Sequence, residues 1–167
     1  MNTNRIERTA KYFHTAHSEG KRYEGAPVEY RPKNLEEAYA AQDRFLELSS
    51  TGSPSTAGYK IAVTSQVIQQ LVGLAHPCLG TIRGGSVHAS PSRLAESEFH
   101  HVGVECEIAF TLKNHLVPIR GEQDRESVRA LIESCHPAFE LIEDRYADYS
   151  TMDALSLIAD NCWCGGV

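Results

Sequence analysis

The chain contains no run approaching the ~20 apolar residues of a membrane-spanning helix, which excludes such a span. It also has no Lys/Arg run. With 16 Lys and Arg against 22 Asp and Glu, the net charge of -6 excludes a nucleic-acid or anionic-membrane surface. The stretch from Met1 to Ala16 is polar and lacks the apolar segment of a signal peptide. Five cysteines, an odd number without framework spacing, exclude a disulfide scaffold; a reduced, cytoplasmic chain is expected. Cys162-Trp163-Cys164 lacks the second ligand pair of a zinc knuckle, so the thiols are expected as small buried fillers. Internal repeats, low-complexity tracts and an interdomain linker are missing too. What is present is ordinary: 167 residues, 41% hydrophobic and 23% charged, fit one globular domain that buries a core without disulfides or structural metals.

The most informative stretch is Val102 to Leu112. Read with period two, Val102, Val104, Cys106, Ile108, Phe110 and Leu112 share one face, and Gly103, Glu105, Glu107, Ala109 and Thr111 share the other. This is a strong strand signal, with two carboxylates on one side and their Cα atoms roughly 6.5–7 Å apart. On a partly buried face such a pair needs a proton or a cation between its members. The alternative is a solvent-facing strand whose acids keep it soluble. Glu96-Ser97-Glu98, a second copy of the triplet, has no alternating apolar face and reads as a solvated loop.

Around this strand the spacing predicts an amphipathic helix over 4–17, with Ile6, Ala10, Phe13 and His17 in register, and a polar connector over 20–32. Asn34 caps a second helix with Glu37 at the reciprocal capping position. A loop over 51–56 leads to a short buried strand over 58–63, and Thr64 or Ser65 caps a helix through Leu71. Lys60 stands inside that apolar strand, either snorkelling from an edge or held buried near carboxylates. His76 to Gly80 reads as a turn, 81–83 as a weak strand, and 113–121 as a loop. A helix is expected over 124–135, stopped by His136-Pro137. Then comes an apolar strand over 138–142 with Glu140 embedded in it, an arrangement that is costly unless the carboxylate is paired or metal-bound. A last helix spans 152–159 and closes at Asp160-Asn161. His14 and His17 share a helix face without a third partner, and His100-His101 read as solvated.

The motifs Gly58-Tyr59-Lys60-Ile61, Thr64, Gln69-Gln70-Leu71-x-Gly73, Gly80-Thr81, Glu105-x-Glu107-Ile108-Ala109, Pro137-Ala138-x-Glu140 and Ala159-Asp160-Asn161-x-x-x-Gly165 occur in this order. Over residues 58–167 they resemble the 2-keto-4-pentenoate hydratase family of the fumarylacetoacetate hydrolase superfamily. The resemblance implies an α+β fold in which N-terminal helices (1–57) pack on a mixed, barrel-like β core (58–167) that is incomplete at its C-terminus, all within one domain. Three departures stand out. Cys78 and Leu79 replace an acidic and an aromatic residue, Gly103 replaces a basic one, and family members continue beyond Val167 through further strands.

The resemblance further implies that Glu105, Glu107 and Glu140 ligate one divalent cation, Mg²⁺ first and Mn²⁺ next, as an all-oxygen set suits. Lys60 becomes a catalytic lysine. Asp160 and Asn161 become substrate contacts, with a helix C-cap as their alternative. The implied reaction adds water to a 2-hydroxy-2,4-dienoate, giving a 4-hydroxy-2-oxo acid in aromatic catabolism. Its alternatives are decarboxylation of 2-oxo-3-hexenedioate and a non-catalytic, truncated relative. The expected partners are a small 2-hydroxy-dienoate or 2-oxo acid substrate and further copies of the chain in a homo-oligomer.

Overall fold

The computed structural model describes residues 2–50, 56–113 and 123–167. The expected loops at 51–56 and 113–121 fall almost wholly outside them. Helix α1 (Thr3–Ser18) is capped by Asn2, whose side chain accepts from the Arg5 amide. It buries Thr9, Ala10, Phe13 and Ala16, which recur along one face. Asn34 caps α2 (Leu35–Leu48) by accepting from the Glu37 amide. Glu37 does not complete the reciprocal box. Its carboxylate accepts from the Lys33 and Asn2 amides and from the Arg5 guanidinium at 2.8 and 3.1 Å, joining the starts of both helices.

The core lies under the helices. Phe13, Tyr23, Phe45, Leu46, Leu157 and Trp163 form its larger part, and Ala38, Cys78, Ile158 and Cys162 a smaller one. Helix α3 (Gln66–Val72) starts at the Ser65 cap and ends at Gly73, whose left-handed φ of 77° suits a residue without Cβ. Helix α4 spans Arg125–Leu131 and α5 Ala154–Ala159, the latter beginning where Asp153 accepts from the Ser156 amide. Gln42 of α2 donates to the Ile158 and Leu79 carbonyls, tying the helical layer to the strands.

Among the described residues, five strands form two separate antiparallel sheets. β1 (Thr56–Ala62) pairs with β2 (Cys78–Arg83). β3 (Val102–Leu112) pairs with β4 (Ile132–Glu143), which also pairs with β5 (Cys164–Gly166). This α+β arrangement agrees with the expected class, and β3 has the expected bounds.

Four expectations need correction. The helix expected over 124–135 stops at Leu131, because Ile132 already pairs with Leu112 in the β3–β4 ladder. Pro137 is tolerated inside β4 because β5 pairs with that strand only at Leu141 and Ile142, so the missing N–H costs little. The turn expected over 76–80 is strand from Cys78, which pairs with Ala62. Strand β1 is not buried: Tyr59 and Ile61 are exposed, and Lys60 is its one buried residue. Likewise the apolar side of β3 is open, with Val104 62% and Ile108 66% exposed. Alternation sorts side chains between faces without supplying anything to cover either face. As for the thiols, Cys78 and Cys162 are buried fillers, whereas Cys106 and Cys135 are exposed.

Hydrogen bonds from Arg5 hold the Glu37 carboxyl at about 2, helped by the Lys33 and Asn2 amides and opposed by burial. A depressed carboxyl stabilises the fold above its ordinary value of 4.5, and that contribution disappears as pH falls towards about 2. Glu37→Gln should therefore lower Tm near neutral pH. The gap from wild type should shrink between pH 4.5 and 2, as followed by thermal denaturation.

Candidate metal centre

Glu105 faces Glu140 directly across the β3–β4 ladder, and Glu107 follows two residues along the same face, opposite Ala138. One carboxylate oxygen from each of the three lies within 4.8 Å of the others. At that separation two like charges repel by about 1 kcal/mol in water and about 3–4 kcal/mol at an effective dielectric near 20. The residues differ in environment, since Glu105 and Glu107 are exposed and Glu140 is buried. Burial pushes the Glu140 carboxyl above the usual range; Lys60 pulls it down, and Glu105 and Glu107 push it up. An all-oxygen group of this charge, with one buried and two exposed members, has the chemistry of a hard-cation site.

Lys60 reaches this group from the other sheet. Its ammonium pairs with Glu140 Oε1 and donates to the Cys162 carbonyl at 2.8 Å. Room for its alkyl stem comes from its ladder partner, Gly80. A Cβ at Gly80 would stand 3.0 Å from Lys60 Cγ and 2.9 Å from the Asn161 carbonyl oxygen. Of the two sequence alternatives for Lys60, the buried one holds, at 8% exposure.

The Cys162 carbonyl is presented by an unusual turn. Asn161, Cys162 and Trp163 have φ of 56°, 50° and 54°, three consecutive non-glycine residues in the left-handed region. Asn161 locks the turn to β2, with the Thr81 amide donating to its Oδ1 at 2.7 Å and its Nδ2 donating to the Thr81 carbonyl at 2.9 Å. Asp160, wholly buried, caps α5, lies 2.7 Å from His17 Nε2 and pairs with the Arg145 guanidinium. The expectation that Asp160 and Asn161 face substrate meets a different arrangement: their side-chain polar groups bind within the chain.

Three residues were missed by sequence reasoning. Arg145 is 1% exposed and holds Asp160, yet in Glu143-Asp144-Arg145-Tyr146 it reads as part of a polar loop. Glu143 is buried and accepts from the His100 and His101 amides at 2.8 and 3.0 Å. Asp144 pairs with His101, whose ring stacks on Tyr146 while staying exposed, as expected of it. Charged residues after an apolar strand carry no local signal of burial, because their partners come from distant segments.

In the comparisons, no family model matches the chain. The fold is similar to that of a solved 4-oxalocrotonate decarboxylase from Pseudomonas putida G7, complexed with magnesium and adipate. The TM-score is 0.85 at 20% identity, covering 99% of this chain and 62% of that one. The architecture is thus the α+β fold of that enzyme, matched over 62% of its length. By sequence the chain is similar to several 2-keto-4-pentenoate and 2-hydroxypentadienoate hydratases. It is 32% identical over 133 residues to a 2-hydroxypent-2,4-dienoate hydratase of Pseudomonas putida, covering 79% of this chain and 59% of that protein. It is 26% identical over 165 residues to a 2-keto-4-pentenoate hydratase of Paraburkholderia xenovorans, covering 99% and 60%. The chain therefore spans about three fifths of the length of these relatives.

Glu107→Gln should weaken Mg²⁺ or Mn²⁺ binding at least roughly tenfold in calorimetric titration while leaving the circular dichroism spectrum unchanged, because the residue is exposed. Unaltered affinity would remove Glu107 from the site.

Proposed function

We propose that Glu105, Glu107 and Glu140 hold one divalent cation, Mg²⁺ first and Mn²⁺ next. With Lys60, this centre serves the addition of water to a 2-hydroxy-2,4-dienoate, giving a 4-hydroxy-2-oxo acid. The observation that carries this reading is the meeting of three carboxylates from two paired strands with one buried ammonium. The hydratase names of the sequence relatives support the substrate class. A cytoplasmic homo-oligomer belongs to the same proposal.

The donor set fits the ion, since three carboxylates supply hard oxygen and Lys60 engages only one oxygen of Glu140. When bound, the cation supplies Lewis-acid stabilisation of negative charge on the substrate's 2-oxygen. The chain's own groups do the rest. Glu105 and Glu107 offer carboxylate oxygens to the ion at the open face. Lys60 Nζ has three N–H bonds; with Glu140 and the Cys162 carbonyl occupying two, one remains to donate to a substrate oxyanion or pass a proton. Asp160 and Asn161 act here as positioning residues, keeping the Cys162 carbonyl under Lys60.

A second reading is favoured by the fold comparison, whose match is a 4-oxalocrotonate decarboxylase. Decarboxylation of 2-oxo-3-hexenedioate would use the same centre, and the product separates the two reactions. Purified chain with Mg²⁺ is expected to consume 2-hydroxypenta-2,4-dienoate, followed by loss of dienoate absorbance, without releasing CO₂ from the diacid. CO₂ release would make it a decarboxylase. Mg²⁺ binding without either turnover would make it a non-catalytic relative. Lys60→Met should depress turnover by roughly 10²- to 10⁴-fold with a smaller change in metal affinity. A defect confined to metal binding would reassign Lys60 to a structural role.

A further inference from the structure

The thiols of two cysteines beside the proposed centre take no part in the hydration described above. The sulfurs of Cys78 and Cys162 lie 3.6 Å apart, although the residues are 84 apart in sequence. Both are buried, Cys78 at the start of β2 and Cys162 in the left-handed turn. Cys162 Sγ also approaches the Leu79 carbonyl at 3.4 Å, and Cys78 Sγ the Ala62 carbonyl at 3.8 Å. We propose that this pair is a reversible oxidation site, a dithiol that closes into a disulfide and pins β2 to the turn holding Lys60.

The geometry brings the two sulfurs to within about 1.5 Å of the S–S bond length of about 2.05 Å. The two thiols have unequal roles. Contact with the Cys162 thiol and the charge of Lys60 hold Cys78 below its ordinary value against the effect of burial. The same contact and burial hold Cys162 well above its own. Cys78 pairs with Ala62 in the β1–β2 sheet, so local opening of that sheet uncovers it first; it is the attacking sulfur and Cys162, held in the turn, the resolving one.

With hydrogen peroxide as oxidant, Cys78 sulfur attacks one peroxide oxygen, the O–O bond breaks, and hydroxide leaves. The product is a sulfenic acid on Cys78. Cys162 sulfur then displaces the sulfenic oxygen as water and forms the S–S bond. The protons released by the two thiols convert both departing oxygens to water. Two thiols lose two electrons and one peroxide gains them. Peroxide is small and uncharged, and the two-stranded β1–β2 sheet, exposed on its outer side, is the segment whose local opening admits it.

The consequence for catalysis rests on the function proposed above. The Cys162 carbonyl accepts from Lys60 Nζ, so drawing the Cys162 side chain towards β2 shifts one of the two anchors of that ammonium.

The test uses the full folded chain, its exposed Cys106 and Cys135 first alkylated under native conditions. After peroxide treatment, peptide mapping is expected to find Cys78 joined to Cys162, with complete reversal by dithiothreitol. A disulfide through Cys164, oxidation that stops on Cys78 alone, or unreacted thiols would overturn the proposal. The cross-linked protein should lose at least roughly tenfold in dienoate turnover and recover it on reduction. Unchanged turnover would overturn the link to Lys60. If the reduced protein has no turnover, the hydratase reading fails, and the peptide map still decides the disulfide.

Discussion

The pairing of the Lys60 ammonium with Glu140 is the contact on which the arrangement of the strands depends. The β1–β2 sheet and the β3–β4–β5 sheet share no ladder, and this ion pair crosses from one to the other. Both side chains are nearly buried, so each has lost most of its hydration. Such a pair is tolerated when its remaining valences are satisfied, and removing one partner costs about 3–5 kcal/mol. Here the Cys162 carbonyl takes a second ammonium proton, while Glu105 and Glu107 crowd the carboxylate from the solvent side. The pair therefore brings an ammonium from one sheet and a cluster of carboxylates from the other to one place.

Holding that carbonyl in place has a conformational cost. Three successive non-glycine residues in the left-handed region each carry roughly 1–2 kcal/mol of unfavourable backbone energy. The turn survives because it is over-determined. Asn161 clasps Thr81 through both its amide atoms, Asp160 is anchored by Arg145 and His17, and the Trp163 ring packs edge-on against Tyr23 and Tyr149. The helices are tied to the residues that flank this turn, since His17 of α1 contacts Asp160 and Gln42 of α2 donates to the Ile158 carbonyl of α5.

Much of the local structure was legible in the sequence. The alternation of 102–112 is a property of neighbouring residues, and β3 follows it to the residue. The Asn34 cap was readable for the same reason. The oddity of Lys60 and Glu140 was readable because charges in apolar strands are rare unless paired. That they pair with each other was not, because 80 residues of chain separate them. The β4 boundary misled because Val128 and Leu131 continue smoothly into Ile132; only pairing with Leu112 shows where the helix must yield. Arg145 and Glu143 carried no signal at all, since a charge in a loop and a charge in a core look alike until the partners are known.

Sequence alone determined most of the elements in outline, the Asn34 cap and the shared face of Glu105 and Glu107, all of which rest on short-range periodicity or residue type. The resemblance to a hydratase family rests on ordered motifs spread over residues 58–167. Tertiary structure alone decided which faces are covered, that Lys60 rather than its apolar neighbours turns inward, and that Asp160 and Asn161 bind within the chain. It also decided that two distant thiols meet. Those outcomes depend on the packing of segments remote along the chain, which local pattern does not encode.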